Sequence, residues 1–307
     1  MEYQEFLCTL EKELNKRVKE GIKVCTYTAT KNNGSKKQGI MFEEQGMMAS
    51  QAIYLEDTYK RHQQGESLDG LMLELLRFHE TARGGKMWDP SQFEEYDFVK
   101  EKVIFRLVHS GKNKEVLKEV PCVEILDLSL IFCILVDADE CGTAVMQITN
   151  SHLQMWGIEK EELIKDAVRN MPVLLPAEFF TMRHAIEEML DSASGNGGDI
   201  LTEGLEGKGD IMYVLTNPIR CYGASCLAYP YLLEMIGEIL GKDFYILPSS
   251  VHEVIIMPET IDIGQAELDE MIAEINETQV EPEDVLSSHA YYYCRTKGQF
   301  QIGRDIQ

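Results

Sequence analysis

The string Leu247-Pro248-Ser249-Ser250-Val251-His252-Glu253 puts two hydroxyls, an imidazole and a carboxylate on one polar turn between two apolar segments. Side chains on such turns often carry function, and an unactivated hydroxyl is a weak nucleophile at neutral pH. A hydrolytic site built here would take Ser249 or Ser250 as nucleophile, His252 as base and a carboxylate, with Glu253 at hand, to orient the base. Two features weigh against it. Catalytic partners meet through space rather than along one turn, and the chain has no Gly-x-Ser-x-Gly elbow to present a serine. The plainer reading is a hairpin turn whose hydroxyls bond the backbone.

A second polar cluster, Thr149-Asn150-Ser151-His152, follows an apolar segment directly. Asn150 or Ser151 is suited to cap a short helix, and His152 to face a pocket. If this strand end lies beside Asn217, Tyr222 and Ser249, then Asn150, His152, Asn217 and Tyr222 form a ligand-binding rim of the kind found at the ends of sheet strands. For metals the sequence offers little. Cys221 and Cys226 are the only close cysteine pair, without a second pair at zinc spacing, and both His-Glu-x-x-His and a complete calcium loop are missing. No metal and no cofactor is expected.

The elements that must position these residues follow from periodicity. Tyr3, Phe6, Leu7, Leu10, Leu14 and Val18 mark an amphipathic opening helix, and residues 22–30 and 38–44 read as a hairpin turned at Asn33-Gly34. Ser67 precedes another helical stripe running from Leu68 to Phe78. Phe93, Tyr96, Val99, Val103, Ile104, Leu107 and Val108 predict a connecting helix that Gly111 stops. Beyond it come strands at 124–137 and 143–149, and helices at 159–170 and 178–190 parted by Pro172 and Pro176. The glycine-rich stretch 192–209 reads as a loop, followed by a strand at 211–216. A helix ends at Gly241, with Pro230 placing its start near Ala224 or near Tyr229. Strands at 243–247 and 253–257, a helix at 265–276 and a strand at 290–295 complete the series. The fold class is α+β: a small unit at 1–86, a connecting helix at 87–120 and an acidic mixed domain at 121–307.

Charge is divided unevenly along this plan. The formal net charge is −23; residues 1–120 hold 20 Asp and Glu against 19 Lys and Arg, so residues 121–307, with 32 against 10, carry −22 of it. From Asp243 to Asp284 there are twelve carboxylates and no lysine or arginine. Such a field repels nucleic acid and anionic lipid and attracts basic protein surfaces. The helix at 265–276 exposes Glu267, Asp269, Glu270 and Glu274, a solvated face or a docking surface for a basic partner. Tyr291-Tyr292-Tyr293, which in a basic groove would suggest base stacking, reads better as a strand with alternating burial. The sequence has no positively charged leader and no apolar run of the roughly 20 residues a membrane helix needs, and its eight cysteines are scattered; a cytoplasmic protein with reduced thiols is expected.

Three strings together, Ile148-Thr149-Asn150-Ser151-His152-Leu153 with Trp156-Gly157, Met212 to Asn217, and Tyr245 to Val254, resemble a clostridial family designated domain of unknown function 5688. The likeness runs nearly the full length, with the Ser-Ser-Val-His-Glu string its most specific part. It implies a bacterial, intracellular protein of gut anaerobes, carried in some cases on mobile elements, and supplies no catalytic residues. The first functional expectation is therefore a non-enzymatic binding or regulatory protein whose acidic C-terminal half engages a basic protein surface. The alternatives are a hydrolase-like enzyme or small-ligand binder with a polar cleft around Asn150, His152, Asn217, Ser249 and His252, and a nucleic-acid mimic.

Overall fold

In the computed structural model, which describes residues 1–44, 51–83, 93–139, 142–190, 201, 212–248, 250–259 and 263–303, the apolar stripe of the N-terminal segment forms helix α1 (Tyr3–Asn15). The chain divides into two compact units, Met1–Phe93 and Glu94–Gln307.

In the first unit α1 covers a three-stranded antiparallel sheet, β1 (Ile22–Thr30), β2 (Lys36–Glu44) and β3 (Gln51–Tyr54), in that spatial order. The β1–β2 turn works as its Asn-Gly pair predicts: Asn33 and Gly34 both take positive φ, 59° and 72°. Two helices follow, α2 (Glu56–Gln63), which the sequence reading lacks, and α3 (Leu68–Arg83), the helical stripe expected after Ser67. Phe6, Leu7, Leu10 and Leu14 close the core against Val24, Ile40, Phe42, Leu71 and Met72. The Asn15 amide fastens helix to strand, donating to the Val24 carbonyl at 2.6 Å and accepting the Val24 N–H at 2.9 Å, so the free edge of β1 is paired at that point.

The second unit begins with a helical turn, α4 (Tyr96–Val99), and then departs from expectation. Val103 to Val108 is not the connecting helix but the buried strand β4 (Val103–His109). Its near-continuous run of β-branched, leucine and aromatic residues is what a strand covered on both faces requires, and periodicity alone does not separate that from a buried helix. After α5 (Lys114–Glu119), the segment expected as one strand at 124–137 is a hairpin, β5 (Cys122–Ile125) and β6 (Leu128–Asp139), turned at Leu126, which has φ 58°. β6 pairs with β4 along one edge; on the other it pairs with β5 over Leu128–Ile131 and with β7 (Gly142–Gln147) from Cys133 onward.

The remaining strands, β8 (Glu178–Thr181), β9 (Tyr213–Thr216), β10 (Phe244–Leu247), β11 (Val254–Pro258), β12 (Tyr291–Cys294) and β13 (Gln299–Ile302), make a six-stranded antiparallel sheet in the order β13-β12-β10-β11-β9-β8. Helices α6 (Asn150–Trp156) and α7 (Lys160–Leu174) lead into it. Pro172, expected to stop α7, lies inside it. The last turn is held by tertiary contacts: the Asn170 amide donates to the carbonyls of Lys100 and Val103, and buried Met171 accepts the Phe105 N–H. Residues 178–181, expected to open a helix, form strand β8 (Glu178–Thr181), because Phe179 and Phe180 are buried in register against β9 (Tyr213–Thr216); only then does α8 (Met182–Leu190) begin. A 3-10 helix, Gly223–Ala228, precedes α9 (Leu232–Leu240), so Pro230 separates two helices. Then come β10 (Phe244–Leu247), β11 (Val254–Pro258), α10 (Gln265–Thr278), β12 (Tyr291–Cys294) and β13 (Gln299–Ile302), the last unforeseen. Tyr291, Tyr292 and Tyr293 are all buried rather than alternating, because both faces of β12 are covered.

Asp127, in the β5–β6 turn, ties the two sheets of this unit together. Its carboxylate accepts the Tyr291 hydroxyl at 2.6 Å and the Ser287 hydroxyl at 2.7 Å. The glycine-rich stretch 192–209 lies outside the described residues except for Leu201 in a helical conformation, as do Ser249 and Glu140.

Candidate functional site: a cysteine, a histidine and an aspartate on three converging segments

The turn after β10 is gripped from both sides by backbone hydrogen bonds. On one side the Val251 N–H donates to the Asp284 carbonyl at 2.8 Å, the Ser287 N–H to Pro248 at 3.1 Å, and Ser250 bridges Val285. On the other the Ala224 N–H donates to the Val251 carbonyl at 3.2 Å and the Thr216 hydroxyl to the His252 carbonyl at 2.8 Å. His252 is thereby fixed between residue 284 and the loop 217–223.

That loop is tightly constrained. Asn217, wholly buried, donates its amide to the Cys221 carbonyl at 2.8 Å and accepts the Cys221 N–H at 3.3 Å, closing a short turn around the cysteine. Arg220 and Tyr222, on either side of Cys221, both have left-handed backbones, φ 50° and 55°. Two such non-glycine residues flanking one side chain are unusual, and strain of this kind collects where a functional group must be aimed. Gly223 is required next: a Cβ there would collide with the Thr216 hydroxyl and the His252 carbonyl. The close passage of the loop over the histidine turn depends on that missing atom.

The result brings Cys221, His252 and Asp284 together. His252 Nε2 lies 3.3 Å from Asp284 Oδ1, with the two side chains 36% and 32% exposed, so the pair is within reach of solvent. The Asp284 carboxylate, and secondarily Cys221, raise the imidazole from its ordinary 6.5 to about 10, which makes it an imidazolium at neutral pH. The second ring nitrogen, Nδ1, is sealed from solvent with no partner in hydrogen-bonding geometry. The Tyr222 ring stacks on the imidazole at 6.2 Å between centroids, and the Arg106 guanidinium sits over the other part of this stack, 5.3 Å from the Tyr222 centroid. Arg106 in turn donates to Gln147 at 3.3 Å. Burial pushes the Tyr222 hydroxyl up, so it stays neutral.

Of the residues singled out from sequence, His252, Asn217 and Tyr222 meet here. Asn217 is enclosed and serves to hold Cys221 rather than to touch a ligand. Ser250 accepts the His252 N–H at 3.0 Å, a local turn bond, and Glu253 is exposed while Asp284 occupies the place beside the imidazole. Asn150 and His152 are committed elsewhere: Asn150 donates to the Lys118 carbonyl, and His152 Nδ1 accepts the Thr149 N–H in a capping box while its ring stacks on Trp156. Burial lowers the proton affinity of His152, as suits a neutral acceptor. On α10, Glu267, Glu270 and Glu274 are exposed, but Asp269 accepts hydrogen bonds from Gln265 and the Ala290 N–H and lies 3.2 Å from His289 Nδ1. Sequence reasoning missed Asp284, hidden within the acidic run, and weighed Cys221 only as a metal ligand beside Cys226. Among the described residues no group of three or more His, Cys, Asp or Glu is placed to hold a metal ion.

Fold and site together define an α+β protein with a half-exposed thiol, an imidazole and a carboxylate at the junction of three loops. The chain belongs to the DUF5688 family of unknown function, whose model matches residues 3–295. No curated protein and no solved structure matches it. Among the described residues, no helix is long and apolar enough to cross a membrane.

Proposed function

We propose that this protein is a cysteine-dependent acyl hydrolase or acyltransferase, with Cys221 as nucleophile, His252 as its proton-transfer partner and Asp284 as the group that orients and charges the imidazole. The observation that carries the reading is that one imidazole has Asp284 3.3 Å from its Nε2 and Cys221 close enough to favour its charged form. An imidazolium beside a thiol is the arrangement that activates cysteines generally. In the proposed reaction the thiolate attacks an acyl carbon, and His252 passes its proton to the departing amine or alcohol. The neutral imidazole then takes a proton from the water that cleaves the thioester, which restores the starting state. The test is incubation with p-nitrophenyl acetate and peptide mapping by mass spectrometry: an acetyl group on Cys221 that is absent in H252Q supports the reading, and labelling confined to other thiols refutes it.

A second reading, a cytoplasmic binding protein whose acidic half engages a basic protein surface, is supported by the exposed Glu267, Glu270 and Glu274 on α10. Capture of a basic partner at low salt that is lost at high salt and in the triple lysine variant supports it; capture indifferent to both rejects it. Competition of that partner with polynucleotide is the added requirement for nucleic-acid mimicry.

A further inference from the structure

Arg106 differs from five other arginines of the chain. Arg17, Arg61, Arg169, Arg220 and Arg295 each hold a carboxylate within 3.2 Å or less. Arg106 does not: among the described residues its neighbours are the Gln147 side-chain carbonyl, the Cys133 thiol and the Tyr222 ring, all uncharged. Its Nε is buried and has no hydrogen-bond partner. A half-buried guanidinium left without a counter-charge is costly. Nor is it free to move away. It is anchored on β4 opposite Ile131, stacked on Tyr222, and held by Gln147, whose own amide is fixed by the Phe132 carbonyl at 2.7 Å. Through Tyr222 this fixed cation is one ring removed from His252.

We propose that Arg106 is the recognition cation of the thiol site and that the substrate carries a carboxylate close to the acyl group that Cys221 attacks. The inference rests on the thiol reading. A single planar guanidinium matches the geometry and charge of one carboxylate, and the substrate supplies the counter-charge the fold withholds.

The experiment compares alkylation by iodoacetate, which carries a carboxylate, with alkylation by iodoacetamide, its neutral counterpart. Rates are read site by site by mass spectrometry, with exposed Cys8 as reference in the same full-length chain. The iodoacetate-to-iodoacetamide ratio at Cys221 should exceed that at Cys8 by about tenfold, the effect of a nearby fixed charge in a partly solvated site, and should shrink as salt is raised. R106Q should lower the ratio at Cys221 severalfold, leaving only what the His252 imidazolium contributes, whereas R106K should keep most of it. Should R106Q fail to fold, the wild-type salt dependence and R106K carry the same decision. Equal ratios at the two cysteines, or a high ratio unchanged in R106Q, overturn the carboxylate assignment while leaving the nucleophile intact. A Cys221 that reacts no faster than Cys8 with either reagent overturns both.

Discussion

Replacing Asp284 with asparagine keeps the shape of the site and removes the charge that holds the proton on His252. Because the folded value, about 10, lies above the ordinary 6.5, the pair stabilises the protein fully below pH 6.5, and that contribution is lost as pH rises through 10. Taken at face value the shift corresponds to roughly 5 kcal/mol. The two side chains are about one third exposed, so solvent screening brings the expected contribution to about 1–2 kcal/mol. Asp284→Asn should therefore lower unfolding free energy by about 1–2 kcal/mol near pH 6, measured by urea denaturation, with the difference vanishing above pH 10. The same variant should move the NMR titration midpoint of the His252 ring protons down by more than about one pH unit. A wild-type midpoint near 6.5, or one that Asp284→Asn leaves in place, would refute the electrostatic reasoning.

Other perturbations separate aim from chemistry. Gly223→Ala should cost about 2–4 kcal/mol in thermal or urea unfolding and abolish any selective Cys221 reactivity, since the new methyl meets the His252 carbonyl and the Thr216 backbone as well as the Thr216 hydroxyl. Ser250→Ala should leave Cys221 acylation within about twofold of wild type, because its hydroxyl serves only the turn; a loss on the order of a hundredfold would restore serine as nucleophile. Asp127→Ala strands the hydroxyls of Tyr291 and Ser287 in the interior and should destabilise the second unit by about 2–4 kcal/mol, read from chemical denaturation.

The elements legible in the sequence were those whose pattern is local. The α1 stripe, the Asn33-Gly34 hairpin and the strand at β10 follow from spacing that one helix turn or one pleat can impose. The errors fall where burial on both faces erases the pattern: β4 reads as a helix because Val103, Ile104, Leu107 and Val108 satisfy a helical stripe and a buried strand equally well. β8 was lost for a similar reason, since four residues leading straight into a helix carry no boundary signal of their own. The site shows the same division. His252 was visible because it lies in a polar turn, and Tyr222 and Asn217 because they cluster near a strand end. Its partners were not, since Cys221 and Asp284 lie 31 residues before and 32 after His252 and meet it only through the backbone bonds that clamp residues 250–252. Arg106, on the strand mistaken for a helix, had no reason to be placed near them.

The central claim is that His252 activates Cys221, and the most direct measurement is the rate of iodoacetamide modification of Cys221 relative to Cys8 across pH 5 to 9, in wild type and in His252→Gln. An activated cysteine should outpace Cys8 by at least about tenfold near pH 6, with the advantage removed in His252→Gln. Two thiols that follow one common pH profile, unchanged by the substitution, would contradict the account.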